Sequence, residues 1–171
     1  KGLAFFDRKE IRDVLSYLRL LVNPQDNISF LRAVNEPARG IGKVSLDHLA
    51  SYAEPREMSL LAAASEIGRI PAIKGKAAAG LRDFSLLIRE LGDLLENPPH
   101  EVISKTLDAS GYREMLRTSN DPDDQERLAN IEEMISAARQ FKVEDREPTL
   151  ADFLENIALA SDTDAHDADK D

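Results

Sequence analysis

The chain has 171 residues, of which 42% are hydrophobic and 32% charged, a balance that indicates a soluble globular protein and excludes a disordered one. It contains no cysteine, which excludes disulfides and thiolate metal sites, and no apolar run reaches the ~20 residues of a membrane-spanning helix. The first residues lack the pattern of a signal peptide, so we expect a cytoplasmic protein.

The net charge of −10 is unevenly distributed along the chain. Residues 1–90 contain 14 Lys and Arg against 11 Asp and Glu, whereas residues 91–171 contain 8 against 21. Such asymmetry is typical of a part that faces a polyanion joined to an acidic part, although negative charge also simply keeps a helical lobe soluble.

Helical periodicity dominates the sequence, and no alternating strand pattern is present. The first stripe is Ile11, Leu15, Leu18 and Val22, and it ends at Asn23-Pro24. The further helices predicted in chain order are 27–34 capped by Asp26 or Asn27, 45–53 opened by Ser45, a helix capped by Ser59 that runs through Ile67, 75–95, a helix after Pro99, 112–117, 124–141, and a last helix capped by Thr149. We therefore predict an all-α, irregular bundle of eight or nine short helices that contains helix-hairpin-helix-like elements, followed by a flexible acidic tail over residues 162–171.

Sites for enzyme chemistry are hard to find. The sequence has no G-x-x-x-x-G-K-[ST] phosphate loop and no H-E-x-x-H metal pair. The acidic cluster at residues 121–124 lacks the spacing of a calcium loop and is explained by helix capping. The three histidines, His48, His100 and His166, fall in different segments. We assign no catalytic residue and no metal ligand.

One short stretch, residues 39–43 with the sequence RGIGK, does suggest a binding site. Two glycines permit backbone conformations that aim successive N–H groups at an anion, and the following helix start adds unpaired N–H groups and the positive end of its dipole. Ile41 is expected to point inward and hold the turn. An αα-corner that needs glycine only for its turn is an equal alternative on spacing alone. The residues assigned to binding of the DNA phosphate backbone are Arg39, Gly40, Ile41, Gly42, Lys43 and Ser45.

A second stretch, residues 70–78, is a degenerate copy of the first. It has an apolar-Pro-x-apolar turn and a small-residue helix start, but Ala72 and Lys74 stand where the usual hairpin has glycines. Lys74, Gly75 and Lys76 are assigned as a second DNA contact. Taken by itself, this stretch is better explained by a plain helix start without any ligand.

Six further blocks of the sequence are informative when they are taken together. They are FFDRKEIRD at 5–13, YLRL at 17–20, RAVNEPARGIG at 32–42, GYREML at 111–116, RLANIEE at 127–133 and TLADFL at 149–154. In combination they resemble the accessory domain of UvrD/PcrA/Rep-type superfamily-one DNA helicases. The resemblance spans nearly the whole chain, and the first and third blocks are specific in combination.

The resemblance implies that residues 1–161 are the all-α 2B subdomain, an insertion in the second motor domain. Residues 1–24 would lead in from the motor domain, 25–96 would form a basic half that carries the hairpins, 97–161 an acidic half, and 162–171 would return to the motor domain. In this family 2B contacts duplex DNA ahead of the fork and swivels between two states, and the RGIG stretch is the contact with the DNA backbone. The domain is also implicated in autoinhibition and in contacts with repair or transcription proteins.

The parent enzymes of the resembling family are bacterial, act on the nucleoid in repair and replication, and move 3′ to 5′ on single-stranded DNA with ATP and Mg²⁺. The resemblance implies that ATP and Mg²⁺ bind outside these residues, so this chain holds no cofactor and neither hydrolyses ATP nor unwinds DNA by itself. The competing hypothesis is a protein-interaction domain whose acidic half docks a basic partner, with incidental DNA contact. A free-standing helical enzyme is a distant third hypothesis, because no acid and base pair emerges.

Overall fold

The computed structural model describes the backbone of residues 3–170 and the side chains of residues 4–160. The all-α prediction is confirmed: within the described part there are ten α-helices and two short 3₁₀ turns, and no strand. The helices are α1 (Leu3–Phe6), α2 (Lys9–Val22), α3 (Asn27–Ala33), α4 (Lys43–Ala53), α5 (Leu60–Ser65), α6 (Gly75–Gly92), α7 (Pro99–Ala109), α8 (Tyr112–Arg117), α9 (Pro122–Gln140) and α10 (Leu150–Lys170). None of the helices described has the length and apolar character needed to cross a membrane.

Helix α2 is the centre of the bundle. It contacts α3, α6, α7, α9 and α10, and most of its side chains are buried. Ile11, Leu15 and Leu18 of the predicted stripe are at most 2% exposed, whereas Val22 at the end of the helix is 39% exposed. A helix that is enclosed on most sides needs apolar residues around most of its circumference, and Val14, Leu20 and Leu21 extend the stripe accordingly.

A charged residue lies in the middle of this core. Asp13 is only 1% exposed and accepts hydrogen bonds from Lys9 Nζ at 2.7 Å, from Arg32 Nε at 2.9 Å and from the hydroxyl of Tyr112 at 2.7 Å. A buried carboxylate is tolerated when it is paired and hydrogen-bonded in this way. Because Tyr112 belongs to the acidic half of the sequence and Arg32 to the basic half, this cluster joins both halves to α2.

Several predicted helix boundaries are confirmed and others are wrong. Asp26 and Ser59 are N-caps whose side chains accept from Ser29 N and Ala62 N. Helix α5 ends at Ser65 rather than Ile67, because the chain tightens into a 3₁₀ turn over Ile67–Arg69. Helix α6 ends at Gly92 rather than Leu95, which fits the low helix propensity of glycine.

The last helix is longer than its apolar pattern. Helix α10 begins after Thr149 and continues to Lys170, through the segment predicted to be a flexible tail. Side chains beyond residue 160 lie outside the described part of the structure, and so does residue 171. The flexibility of residues 162–171 therefore stays a prediction.

Candidate nucleic-acid interface

The RGIGK stretch forms a tight hairpin between α3 and α4. Gly40 has φ of +73°, a left-handed conformation that favours glycine, and the preceding Glu36-Pro37 bond is cis. The Asn35 side chain sits inside the turn: its Nδ2 donates to the Ile41 carbonyl at 2.5 Å, and its Oδ1 accepts from the backbone N–H groups of Arg39 and Ile41 at 3.4 Å each. Asn35 thus holds both sides of the hairpin.

The start of α4 differs from the prediction. The helix begins at Lys43 with Gly42 as its N-cap, so the expectation that Ser45 caps it is wrong. Gly42 is extended and has no side chain that can accept a hydrogen bond, and the first intrahelical bond runs from Leu46 N to Gly42 O at 3.1 Å. Ser45 therefore lies in the first turn. The orphan N–H groups of that turn receive no side-chain cap from Gly42, which leaves them available to an anion.

The side chains of the hairpin point in opposite directions. Ile41 is 4% exposed and packs into the core, as predicted. The Lys43 side chain is 88% exposed, and its ammonium lies 3.0 Å from Asp47 one turn along α4, itself 64% exposed. Exposed pairs of this kind contribute little and are easily exchanged for another anion. Lys43 can therefore turn toward a phosphate at small cost.

Arg39 is placed differently from Lys43. Its guanidinium turns toward the interior, where it donates to the backbone carbonyls of Ala33 and Val34 at the end of α3. It lies 4.9 Å from the centre of the Phe84 ring on α6. Arg39 is half-buried, and its guanidinium is directed toward these carbonyls.

The second predicted stretch lies against the first. Ile73 is buried like Ile41, Lys74 is the extended N-cap of α6, and Gly75 has φ of +60°. The aliphatic part of Lys76 lies across Gly40, because a Cβ added at Gly40 would be 2.6 Å from Lys76 Cε. The structure therefore brings the two predicted segments together on one surface, with Lys74 and Lys76 both exposed.

Helix α6 approaches the hairpin closely through Gly80. A Cβ at this position would lie 2.8 Å from the carbonyl oxygen of Arg39 and 3.2 Å from Cδ1 of Ile41. Neither Gly80 nor Asn35 is among the site residues predicted from the sequence. An isolated glycine inside a strongly helical pattern is a signal for close approach and could have found Gly80. Nothing in the sequence distinguishes Asn35 from an ordinary turn residue.

Within residues 4–160, the remaining candidate groups do not assemble into a site. His48 is exposed on α4 and His100 is half-buried on α7, while the side chain of His166 lies outside the described residues. No group of three or more metal-ligating side chains occurs among the residues described.

The sequence of the chain is similar to those of several known proteins. Residues 1–67 match the family model for the UvrD-like helicase C-terminal domain. The ATP-dependent DNA helicase PcrA of Bacillus subtilis is 40% identical over 167 residues, and the ATP-dependent DNA helicase UvrD1 of Mycobacterium tuberculosis is 36% identical over 182 residues. These alignments cover 97% and 95% of the chain. The chain is homologous to the PcrA and UvrD helicases.

The PcrA and UvrD relatives are much longer than this chain, which spans 22% and 23% of their lengths in the two alignments. The region matched by the family model contains the RGIGK hairpin and ends before the Lys74–Lys76 segment. The alignments with PcrA and UvrD1, in contrast, extend over both segments of the candidate interface.

Proposed function

We propose that this chain is the accessory 2B subdomain of a 3′-to-5′ ATP-dependent DNA helicase that acts in repair or replication. In this proposal the domain binds the backbone of duplex DNA without reading its sequence and regulates unwinding by the motor domains. ATP and Mg²⁺ would be bound by the motor domains, since these residues contain no phosphate loop. Homology to PcrA and UvrD supports the parent activity.

The observation that carries the DNA contact is the geometry at the start of α4. A left-handed glycine, an uncapped helix N-terminus and the exposed ammonium of Lys43 lie within four consecutive residues, 40–43. Backbone N–H groups at a helix start bind a phosphate oxygen without sensing the base sequence. Lys74 and Lys76 extend the positive surface beside them, which suits a run of phosphates rather than a single anion.

The test is a titration of a fluorescently labelled DNA duplex at several salt concentrations. We expect weak binding that falls linearly on a plot of log affinity against log salt, because each neutralised phosphate releases counterions. The decisive variant combines Gly42→Asp with Lys43→Glu. Aspartate is a preferred N-cap residue and a Cβ at Gly42 meets no atom within 4 Å, so this change places negative charge at the hairpin without disturbing the fold.

We expect the double variant to bind duplex at least about tenfold more weakly, while its melting temperature stays unchanged or rises. The matched control is Lys105→Glu, which reverses an exposed lysine on α7 in the acidic half. It should leave duplex affinity within about twofold. Absence of binding by the wild-type chain at low salt, or equal affinities of the double variant and the wild type, would refute the hairpin assignment and favour a protein partner instead.

A further inference from the structure

The Arg39 side chain occupies the inner side of the proposed DNA-binding hairpin. Its Nη1 donates to three backbone carbonyls, those of Ala33 at 3.2 Å, Val34 at 2.8 Å and Pro37 at 3.2 Å. The first two belong to the C-terminal end of α3, where the last carbonyls of a helix have no intrahelical partner and the dipole is negative. A guanidinium at this place caps α3 and draws the loop at Pro37 against it.

The other nitrogen of the same guanidinium reaches two more elements. Nη2 donates to the hydroxyl of Tyr17 on α2 at 2.8 Å and to the carbonyl of Ser110 at 3.3 Å. Tyr17 in turn donates to the carbonyl of Glu36 at 2.5 Å. Ser110 lies at the junction of α7 and α8, in the acidic half of the chain, just before Gly111 with its φ of +82°.

These contacts need an arginine and cannot be reproduced by a lysine. Five acceptors lie within hydrogen-bond distance of the group, and the planar fork of a guanidinium can donate to several of them at once. The Cζ atom of the Arg39 guanidinium lies 4.9 Å from the centre of the Phe84 ring, a favourable cation–π distance. An ammonium on a lysine has only three donors around one point and would leave some of these five acceptors without a donor from residue 39.

We propose that Arg39 is a positioning residue: it sets the conformation of the hairpin and ties it to the α7–α8 junction, and it does not itself contact phosphate. The hairpin backbone between Asn35 and Gly42 is then held from inside by Arg39 and from within the turn by the Asn35 amide. The effect of Arg39 on DNA binding rests on the proposed function of the hairpin. The claim that Arg39 sets the hairpin conformation is structural and does not depend on that function.

The structural part is tested by hydrogen exchange of backbone amides in Arg39→Lys, read by NMR. The reporter amides are those of Glu36, which donates to the Ala33 carbonyl, and Ile41, which donates to Asn35 Oδ1. We expect both to exchange at least about tenfold faster than in the wild type, while amides of α9 are unchanged. The matched control is Arg82→Lys on the exposed side of α6, which should alter neither reporter.

The functional part is tested by duplex titration of Arg39→Lys and Arg39→Gln over a salt series. A positioning residue predicts that both variants bind about tenfold more weakly than the wild type and that the salt slope stays the same. Lys43→Gln, in contrast, should lower the slope by about one, as expected for a lost phosphate contact. Because Arg39→Lys keeps the charge, its weak binding would separate geometry from electrostatics.

Two results would overturn the proposal. The first is normal exchange at Glu36 and Ile41 in Arg39→Lys. The second is near-normal binding by Arg39→Lys together with a salt slope lowered by about one in Arg39→Gln, which would make Arg39 a phosphate ligand. If an Arg39 variant does not fold, Tyr17→Phe replaces it, because this change removes one acceptor of the guanidinium. In Tyr17→Phe we expect the amide exchange rates to rise and the duplex affinity to fall by about two- to fivefold each. Failure of the wild type to bind duplex would refute the DNA function and leave the exchange result standing.

Discussion

The close approach of α6 to the hairpin gives the sharpest prediction about stability, through Gly80→Ala. The methyl group would lie 2.8 Å from the carbonyl oxygen of Arg39, a backbone atom, and 3.2 Å from two carbons of Ile41. Ordinary contacts of a Cβ begin at 3.4 Å, so α6 or the hairpin must move. Since the hairpin is held by Asn35 and by the Arg39 guanidinium, it has little freedom to do so.

The magnitude follows from two opposing terms. Replacing glycine by alanine inside a helix gains about 1 kcal/mol of stability, whereas forcing an extra methyl group into a packed contact costs about 1–3 kcal/mol. Gly92, at the end of the same helix, has no atom within 4 Å of an added Cβ and no positive φ. Gly92→Ala therefore receives the helix gain without the steric cost. We expect Gly80→Ala to be about 1–3 kcal/mol less stable than Gly92→Ala.

The assay is thermal or urea unfolding of both variants beside the wild type. For a chain of 171 residues, each kcal/mol corresponds to about 2–4 °C in melting temperature. Ile41→Val removes the Cδ1 atom that the methyl would meet, so its cost of about 1 kcal/mol in the wild type should shrink in the Gly80→Ala background. Equal stability of Gly80→Ala and Gly92→Ala would refute the inferred close contact between α6 and the hairpin.

Two further predictions concern other parts of the fold. Burial raises the pKa of Tyr17 to about 12 and also raises the pKa of Tyr112, so the native state keeps protons that the unfolded chain releases near pH 10. The free energy of unfolding should therefore fall as pH rises from about 10 to 12. Urea unfolding curves measured over this pH range should show a smaller fall in Tyr17→Phe than in the wild type. An identical pH dependence of the two proteins would refute the raised pKa of Tyr17. Thr149→Ala should cost about 1 kcal/mol, because Thr149 Oγ1 accepts from Asp152 N at 3.2 Å and Asp152 Oδ2 accepts from Thr149 N at 2.9 Å. Thr149→Ser, which keeps the hydroxyl, is the control in the same unfolding assay, and equal stability of the two variants would contradict the cap.

The local rules of helix formation were enough to predict the class of the fold and most of its elements. Apolar stripes with a period of 3.6, caps such as Asp26 and Ser59, and breakers such as Asn23-Pro24 act within a few residues of each other, so the sequence displays them directly. The inward position of Ile41 was predictable for the same reason. The family resemblance over nearly the whole chain agrees with the homology to PcrA and UvrD.

These local rules could not predict the position of residues whose contacts are with partners distant in the sequence. Asp13 is buried because Tyr112 and Arg32 reach it from helices that are far apart in the chain, and a local pattern would have placed it on the surface. Ser45 was given the cap of α4 because its residue type suits that role, yet the hairpin geometry assigns the cap to Gly42.

The sequence by itself determined an all-α chain with a glycine turn placed before a helix, because turn and helix propensities depend on neighbours only. The tertiary structure decided which charges of RGIGK are available. Lys43 faces solvent, whereas the Arg39 guanidinium lies among carbonyls from α3 and from the α7–α8 junction. Two cations that each stand next to a glycine look alike in sequence. Only the packing of distant elements makes Lys43 a surface charge and turns the Arg39 guanidinium toward internal carbonyl groups.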